Sequence, residues 1–485
     1  MKNLTGKIGY GLGDMASSMF WKVFSYYLPF FYSNIFGLRL ADAAVLVLVT
    51  RIWDAVSDPM MGIISDRTHT RWGKYRPYLL WVAVPFSVCG ILLFTTPDLA
   101  YGGKMLWAYV TYILMMTVYT GINVPYGAML GVISDDPKEK TVYSSFRMFF
   151  AYGGSFIALA AWEPLCQMFA GRFGLDLQHS WQAAMIVIAA ACLVLFILCF
   201  LLTREKLKTV STVSVGKDFK SLLRNKPWWL LIAAALCFNL FCTVRGATVA
   251  YFFADVIGFD ANIYLFGLAI LFYSGLFLSI GEVANMVGVA LCVPIAAKFG
   301  KRTTFMLVNA ALIVFSVGFF FLPINPTGYW LMLLFQILIS ILTGIMSPLI
   351  WSMYADVSDY AELRFKTAST GLIFSSSSMA QKFGGAIGGA AVLWLLDACG
   401  YITRAADQAT LAISQPASAI NCLWMLMTLI PAAVSVIAII AAYFYPLTPK
   451  AVDEIVAKLK IQRLQPTPDA EAAKDVMTDF ADTNV

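Results

Sequence analysis

Apolar runs of about 20 residues recur about twelve times along this 485-residue chain. Each is long enough to cross ~30 Å of hydrocarbon as a helix. The runs lie near 8–35, 41–64, 78–97, 105–133, 143–171, 181–203, 228–257, 262–297, 303–323, 328–357, 369–397 and 418–446. The run at 262–297 is too long for one simple span and predicts a tilt, a break or an extramembrane extension. Charged residues make up 13% of the chain, against about 25% in soluble domains. Mean hydropathy is +0.75. The expected class is an all-α membrane protein, with the lipid bilayer as its partner.

Lysine and arginine orient the spans. With the N-terminus inside, roughly 26 of the 34 basic residues fall on cytoplasmic segments, and only Arg39, Lys104, Arg172 and Arg404 fall opposite. Both termini are then cytoplasmic. The short segment before the first run carries no cleavage pattern, so the first helix is expected to be retained. This bias accounts for the net charge of +6, which therefore does not point to nucleic acid. The nine cysteines form no CxxC pair and read as small packing residues. His69 and His179 lie in different loops, so no metal-catalytic site and no cofactor is expected.

The stretch VLVTRIWDAVSDPMMGIISDRTHTRWGKYRP at 47–77 joins the second run to a basic loop, and the run carries Arg51, Asp54 and Asp58 inside it. A charge in a membrane helix costs at least ~2.5–3.5 kcal/mol on insertion scales, so it persists mainly where it faces a polar cavity. Asp54 and Asp58 are four apart and share one helix face, roughly 6 Å apart along the axis. Arg51 lies on the same side. One reading is a site for a small cation or a proton. The other is a buried ion pair that locks packing. One arginine leaves one carboxylate over, which favours the site.

The polar stretch at 204–227 divides the runs six and six. The expected units are an N-terminal bundle at 1–203, a linker at 204–227, a C-terminal bundle at 228–446 and a tail at 447–485. In the tail, 449–463 reads as a short amphipathic piece and the rest as disorder. The halves echo each other, with GKYR at Gly73–Arg76 after span 2 and GKRT at Gly300–Thr303 after span 8. Acidic groups follow span 4 (Asp135, Asp136) and span 10 (Asp356, Asp359, Glu362). Parallel six-helix halves are the arrangement of major facilitator transporters, with substrate held between the halves.

Other charges inside spans are Lys22, Glu163, Arg245, Glu282 and Lys382. Lys382 precedes Gly384, Gly385, Gly388 and Gly389, whose spacing permits close helix contact. It is placed to reach the span 2 carboxylates across the halves, or to form a purely structural pair. Arg245 and Glu282 read as a structural pair within the C-terminal half. Polar and aromatic candidates for a sugar site are Tyr26, Tyr27, Tyr112, Tyr119, Thr120, Asn123, Tyr126, Trp351 and Ser378, though most such aromatics only pack. GYGLGD at Gly9–Asp14 is no phosphate loop, since no strand precedes it, and its glycines read as packing residues.

KIGYGLGD, RIWDAVSDPMMG, RTHTRWGKYRP, YTGINVPYGAM and ADVSDYAE resemble the glycoside–pentoside–hexuronide:cation symporters over roughly residues 5–446. The resemblance implies the major facilitator fold with twelve transmembrane helices. It also implies sugar uptake coupled to Na⁺ or H⁺ in a bacterial inner membrane, with no enzymatic activity. Asp54, Asp58 and Thr120 match the family's cation site, and Lys382 the lysine beside it. Arg147 and Trp351 match positions near the sugar. The family's melibiose permease holds sugar with two aspartates where this chain has Ser18 and Asn123, and has a tryptophan where this chain has Gly127. Together with Lys22, this departure argues against galactosides and leaves neutral glycosides and uronides open; VPY after Asn123 and VRGA at Val244–Ala247 look more like the xyloside and glucuronide transporters. The expected substrate residues are Ser18, Lys22, Tyr119, Asn123, Arg147, Trp351, Ser378 and Lys382.

A gate is expected on the cytoplasmic face, from Arg67, Arg71, Lys74 and Arg76 against Asp356, Asp359 and Glu362. A monomer is expected. Two other readings of the same fold are a lysophospholipid or other amphiphile carrier and an uncoupled sugar facilitator. A membrane enzyme is disfavoured, because no nucleophile–base set is apparent.

Overall fold

The computed structural model describes residues 4–134, 137–205, 223–258, 261–265, 268–365, 370–403 and 414–464. The expected linker and the end of the tail lie largely outside the described residues, as do Asp135 and Asp136. Span 1 is α1 (Leu4–Phe30), continued by a π turn at Phe31–Ile35. Span 2 is α2 (Leu40–Arg67). Span 3 is broken into α3 (Arg76–Trp81) and α4 (Ala83–Leu93). Pro85 has no N–H to offer the carbonyl four residues back, which explains the break beside Val82. Spans 4, 5 and 6 are α5 (Tyr101–Ile133), α6 (Pro137–Phe173) and α7 (Leu177–Leu202).

The second half begins with α8 (Lys226–Phe252), again continued by a π turn, Phe253–Ile257. The overlong run then divides. Its first part is an antiparallel hairpin, β1 (Asn262–Leu265) and β2 (Leu268–Leu271), with Asn262 opposite Leu271. Its second part is α9 (Ser274–Phe299). Then follow α10 (Lys301–Phe320), α11 (Pro326–Phe365) and α12 (Thr370–Ala398). The last span is broken at Thr428 into α13 (Ala417–Met427) and α14 (Leu429–Tyr443), beside Pro431. The expected amphipathic piece is α15 (Pro449–Leu464), which packs on α11.

Eight described helices are long and apolar enough to cross a membrane. α1, α2, α6 and the pair α3–α4 cover the other four expected spans, but carry interior charges or a break. We term the end of the bundle that holds Leu4 the near face and the opposite end the far face. In lipid, helix association relies on close packing more than on burial of apolar surface. The glycines of α1 serve that purpose: a Cβ on Gly11 would lie 2.5 Å from the Phe150 ring, and one on Gly13 2.5 Å from Tyr126. On α12, a Cβ on Gly384 would lie 2.9 Å from Asn239 Cβ, and one on Gly388 3.0 Å from Thr243 Cβ. α12 therefore lies against α8, and it also packs against α2 of the other half.

The halves also meet toward the far face. The Ser33 and Tyr251 hydroxyls are 2.7 Å apart, and Tyr273 donates to Ala160 O at 3.0 Å. Glu163 of α6 sits at the start of α9. Its Oε1 accepts from Tyr27 OH at 3.0 Å, from the Gly275 N–H at 3.2 Å and from the Ser274 hydroxyl. A carboxylate at a helix N-terminus meets unpaired N–H groups and the positive end of the helix dipole.

Candidate cation and substrate site

α2 turns its charges inward by turning its apolar residues outward. Val45, Val49, Ile52, Val56, Met60 and Ile63 recur at helical spacing and are exposed, as a lipid-facing stripe would be. The opposite stripe carries Arg51, Asp54 and Asp58. Asp54 is fully buried. Its Oδ1 lies 3.2 Å from the Thr120 hydroxyl of α5 and 3.2 Å from Lys382 Nζ of α12. Asp58 Oδ1 lies 2.9 Å from the same hydroxyl, and Asp58 Oδ2 pairs with the same ammonium. Ser57 Oγ stands 3.3 Å from Thr120 Oγ1.

Arg51 is a looser neighbour, 3.9 Å from Asp54 Oδ2. Its guanidinium stacks over Trp21 at 4.7 Å and Phe24 at 5.3 Å. Asp54 Oδ2 is buried and has no hydrogen-bond partner among the described residues. Carboxylate and hydroxyl oxygens with one acceptor unused form a donor set suited to a hard monovalent cation or a proton. Lys382 meets both carboxylates as such a cation would. The sequence-predicted residues Asp54, Asp58, Thr120 and Lys382 are thus brought together from three helices and both halves.

One cavity lies beside this cluster, and a second adjoins it. The first, about 350 Å³, is lined by Trp21, Lys22, Arg51, Tyr112, Asn239 and Lys382 among others. The second, about 200 Å³, is lined by Arg245, Glu282, Asn285 and Gln336 among others. Lys22, Tyr26 and Cys242 line both and stand where the two meet.

One expectation is corrected. Arg245 and Glu282 do not pair with each other. Lys22 of α1 donates to Glu282 of α9 at 2.6 Å, across the two halves, and to Tyr26 OH at 3.2 Å. Arg245 donates to Met427 O and to Gln336 Oε1, each at 2.8 Å. Pro431 cannot donate to the Met427 carbonyl, so the break in the last span leaves an acceptor for Arg245. With that acceptor and Gln336 satisfying Arg245, Glu282 is left to the nearest ammonium.

The other expected substrate residues are more dispersed. Lys22 and Lys382 line the first cavity; Ser18, Tyr119, Asn123, Arg147 and Trp351 do not line either. Asn123 donates to Tyr119 O at 3.2 Å, and Tyr119 packs on Trp21 at 4.9 Å. Arg147 donates to Asp14 Oδ2 at 2.9 Å and lies over the Tyr126 ring. The side chain of Ser378 lies outside the described residues. Sequence reasoning missed Asn239, Thr243 and Gln381, which line the first cavity. Asn239 and Thr243 lie four apart in an apolar run, and that signal was legible.

On the near face, three of the expected gate residues, Lys74, Arg76 and Asp356, make contacts within their own halves. Glu205 accepts from the N–H groups of Lys74, Tyr75 and Arg76 at 2.8, 2.7 and 2.6 Å. Arg76 Nε donates to Phe200 O at 2.8 Å. Asp356 is paired with Lys301 at 2.6 Å.

The model of the MFS/sugar transport protein family matches residues 9–449. The chain belongs to that family. It is a multi-pass membrane transporter and not an enzyme. It is 33% identical over 445 residues to the inner membrane symporter YicJ of Escherichia coli (strain K12), covering 91% of this chain and 92% of that one. It is 32% identical over 442 residues to the isoprimeverose transporter of Lactiplantibacillus pentosus, covering 90% and 88%. Among solved structures, a bacterial homologue of the human drug peptide transporters superposes with a TM-score of 0.67 at 14% identity, covering 95% of this chain and all of that one. At that identity the likeness concerns the fold alone.

Proposed function

We propose that the protein is a secondary active symporter that couples uptake of a sugar or glycoside to Na⁺ or H⁺ by alternating access. The observation that carries this is the Asp54–Asp58–Thr120–Lys382 cluster, assembled from both halves beside a polar cavity. Relatives named as a symporter and as an isoprimeverose transporter support the same reading. The coupling ion takes the place of the Lys382 ammonium between the carboxylates, and Lys382 then turns toward the first cavity. Substrate hydroxyls are held by Lys22, Asn239 and Lys382 against the Trp21 and Tyr26 rings. Asn123, Tyr119, Arg147, Ser18, Trp351 and Ser378 complete the substrate path in other states of the cycle.

The protein lies in a bacterial inner membrane with both termini cytoplasmic, so the near face is cytoplasmic. Residues 1–203 and 228–446 are the moving halves, joined by 204–227 and followed by the tail. In this structure the far face is held closed by the Ser33–Tyr251, Tyr273–Ala160 and Glu163–Gly275 contacts. Arg67, Arg71, Lys74 and Arg76 meet Asp356, Asp359 and Glu362 when the near face closes in turn. Uptake of radiolabelled xylosides and glucosides into proteoliposomes, with imposed Na⁺ or H⁺ gradients, tests the proposal. Accumulation above equilibrium with one gradient is expected. Accumulation with neither removes the coupling.

A further inference from the structure

We propose that Glu282 is a charge filter: by compensating Lys22 at the junction of the two cavities, it makes the site select uncharged sugars over uronates. The inference rests on the sugar-transport reading and names the substrate class that this site takes.

The argument begins with unused valences. A lysine ammonium has three donors. Lys22 directs two of them to Glu282 Oε1 and Tyr26 OH. Glu282 Oε2 is buried and has no hydrogen-bond partner among the described residues. One Lys22 donor therefore remains where the cavities join, and the Glu282 carboxylate stands behind it on the wall of the second cavity. A sugar hydroxyl can accept from that donor and leave the Lys22–Glu282 pair intact. An ionised carboxylate there brings a second negative charge that competes with Glu282 for the ammonium.

Charge leads to the same result. The side chain of Lys22 is 23% exposed and that of Glu282 4%, so the pair is poorly screened. A uronate that approached Lys22 would set a second carboxylate against Glu282, or strip Glu282 of its partner and leave a buried charge alone. Both are costly in a low-dielectric site. The other cations facing the cavities do not offer an easy alternative. Arg51 lies against Asp54, and Lys382 pairs with Asp54 and Asp58. Arg245 is only 5% exposed, stacks on the Phe319 ring at 4.9 Å, and donates to Met427 O and Gln336.

The test uses the full chain, purified in detergent, and matched p-nitrophenyl glycosides that differ only at C6: glucoside against glucuronide, and galactoside against galacturonide. Affinity is read by isothermal titration calorimetry. The wild type is expected to bind the neutral member of at least one pair tenfold or more tightly than its uronide. Glu282→Gln is expected to narrow that ratio at least tenfold by raising uronide affinity. Adding Lys22→Gln to Glu282→Gln should abolish that gain. A wild-type preference for the uronide overturns the filter without need of any variant. So does an unchanged ratio in folded Glu282→Gln. Binding of no member of either pair by the wild type counts against the sugar reading itself, and this inference falls with it.

Discussion

Lys382 Nζ lies 3.2 Å from Asp54 Oδ1, although 328 residues separate the two in the chain. The ammonium joins α12 of one half to α2 of the other at the cation site we propose. In the proposed symport cycle, a lysine there acts as a tethered competitor. A free cation can enter only if the ammonium leaves, and its departure loosens a contact between the halves. In that cycle, one side chain links ion binding to the conformational equilibrium.

Asp54→Asn and Asp58→Asn should each abolish gradient-driven accumulation in proteoliposomes. Sugar exchange at equal concentrations should survive better, because exchange does not need the ion to drive reorientation. Both variants concentrating sugar normally would place the coupling site elsewhere.

Lys382→Gln should tighten cation binding. Removing an internal competitor worth ~1.4 kcal/mol lowers the half-saturating cation concentration about tenfold. The readout is tryptophan fluorescence during Na⁺ or H⁺ titration, since Trp21 lines the adjoining cavity. Unchanged or weaker cation binding would mean that the lysine serves packing alone.

Glu163→Ala should release the far face. Three hydrogen bonds to Glu163 Oε1 link α1, α6 and the start of α9. At about 1 kcal/mol each, their loss suffices for a tenfold change or more in the closed population. Cys166 lines an inter-half cavity beside Glu163 and reports the change. In a background with the other cysteines replaced by serine, alkylation of Cys166 from the far side should accelerate at least tenfold.

Arg245→Ala should lower the melting temperature of the detergent-solubilised protein. It strands Met427 O and Gln336, at roughly 1–3 kcal/mol for each buried group left unpaired. Pro431→Ala in the same chain should recover part of the loss, because it restores a backbone N–H to the Met427 carbonyl. No recovery would show that the arginine acts through something other than that carbonyl.

The near-face gate predicts a modest, additive effect. Exposed pairs are worth only ~0.2–1 kcal/mol each. Replacing Arg76 and Asp356 together by alanine should raise the inward-open population up to about tenfold, measured as faster alkylation of cysteines placed in the near-face cavity. The control variant Lys301→Ala, which frees Asp356 within its own half, should not reproduce the effect. Unchanged accessibility in the double variant, with normal insertion, would leave the basic loop a topology signal only.

Contacts that repeat within one helix were legible in the sequence. The i, i+4 spacing of Asp54 and Asp58 placed both carboxylates on one face of α2, and the outward stripe from Val45 to Ile63 holds that face inward. The glycine spacing of α12 announced a close helix contact, and the length of the run at 262–297 announced that it was no simple span. Lys382 was legible as a partner for α2 because a lone charge in a glycine-rich span has few places to go. What the sequence could not decide was the choice among partners far apart in the chain. It placed Arg245 with Glu282, two opposite charges in one half. The tertiary structure gave Glu282 to Lys22, 260 residues away, and gave Arg245 the carbonyl left without a donor by Pro431. Helical periodicity fixes the direction of a side chain. Only the packing of the halves decides which charge lies nearest, and at a buried site distance and the count of unpaired donors and acceptors select the partner.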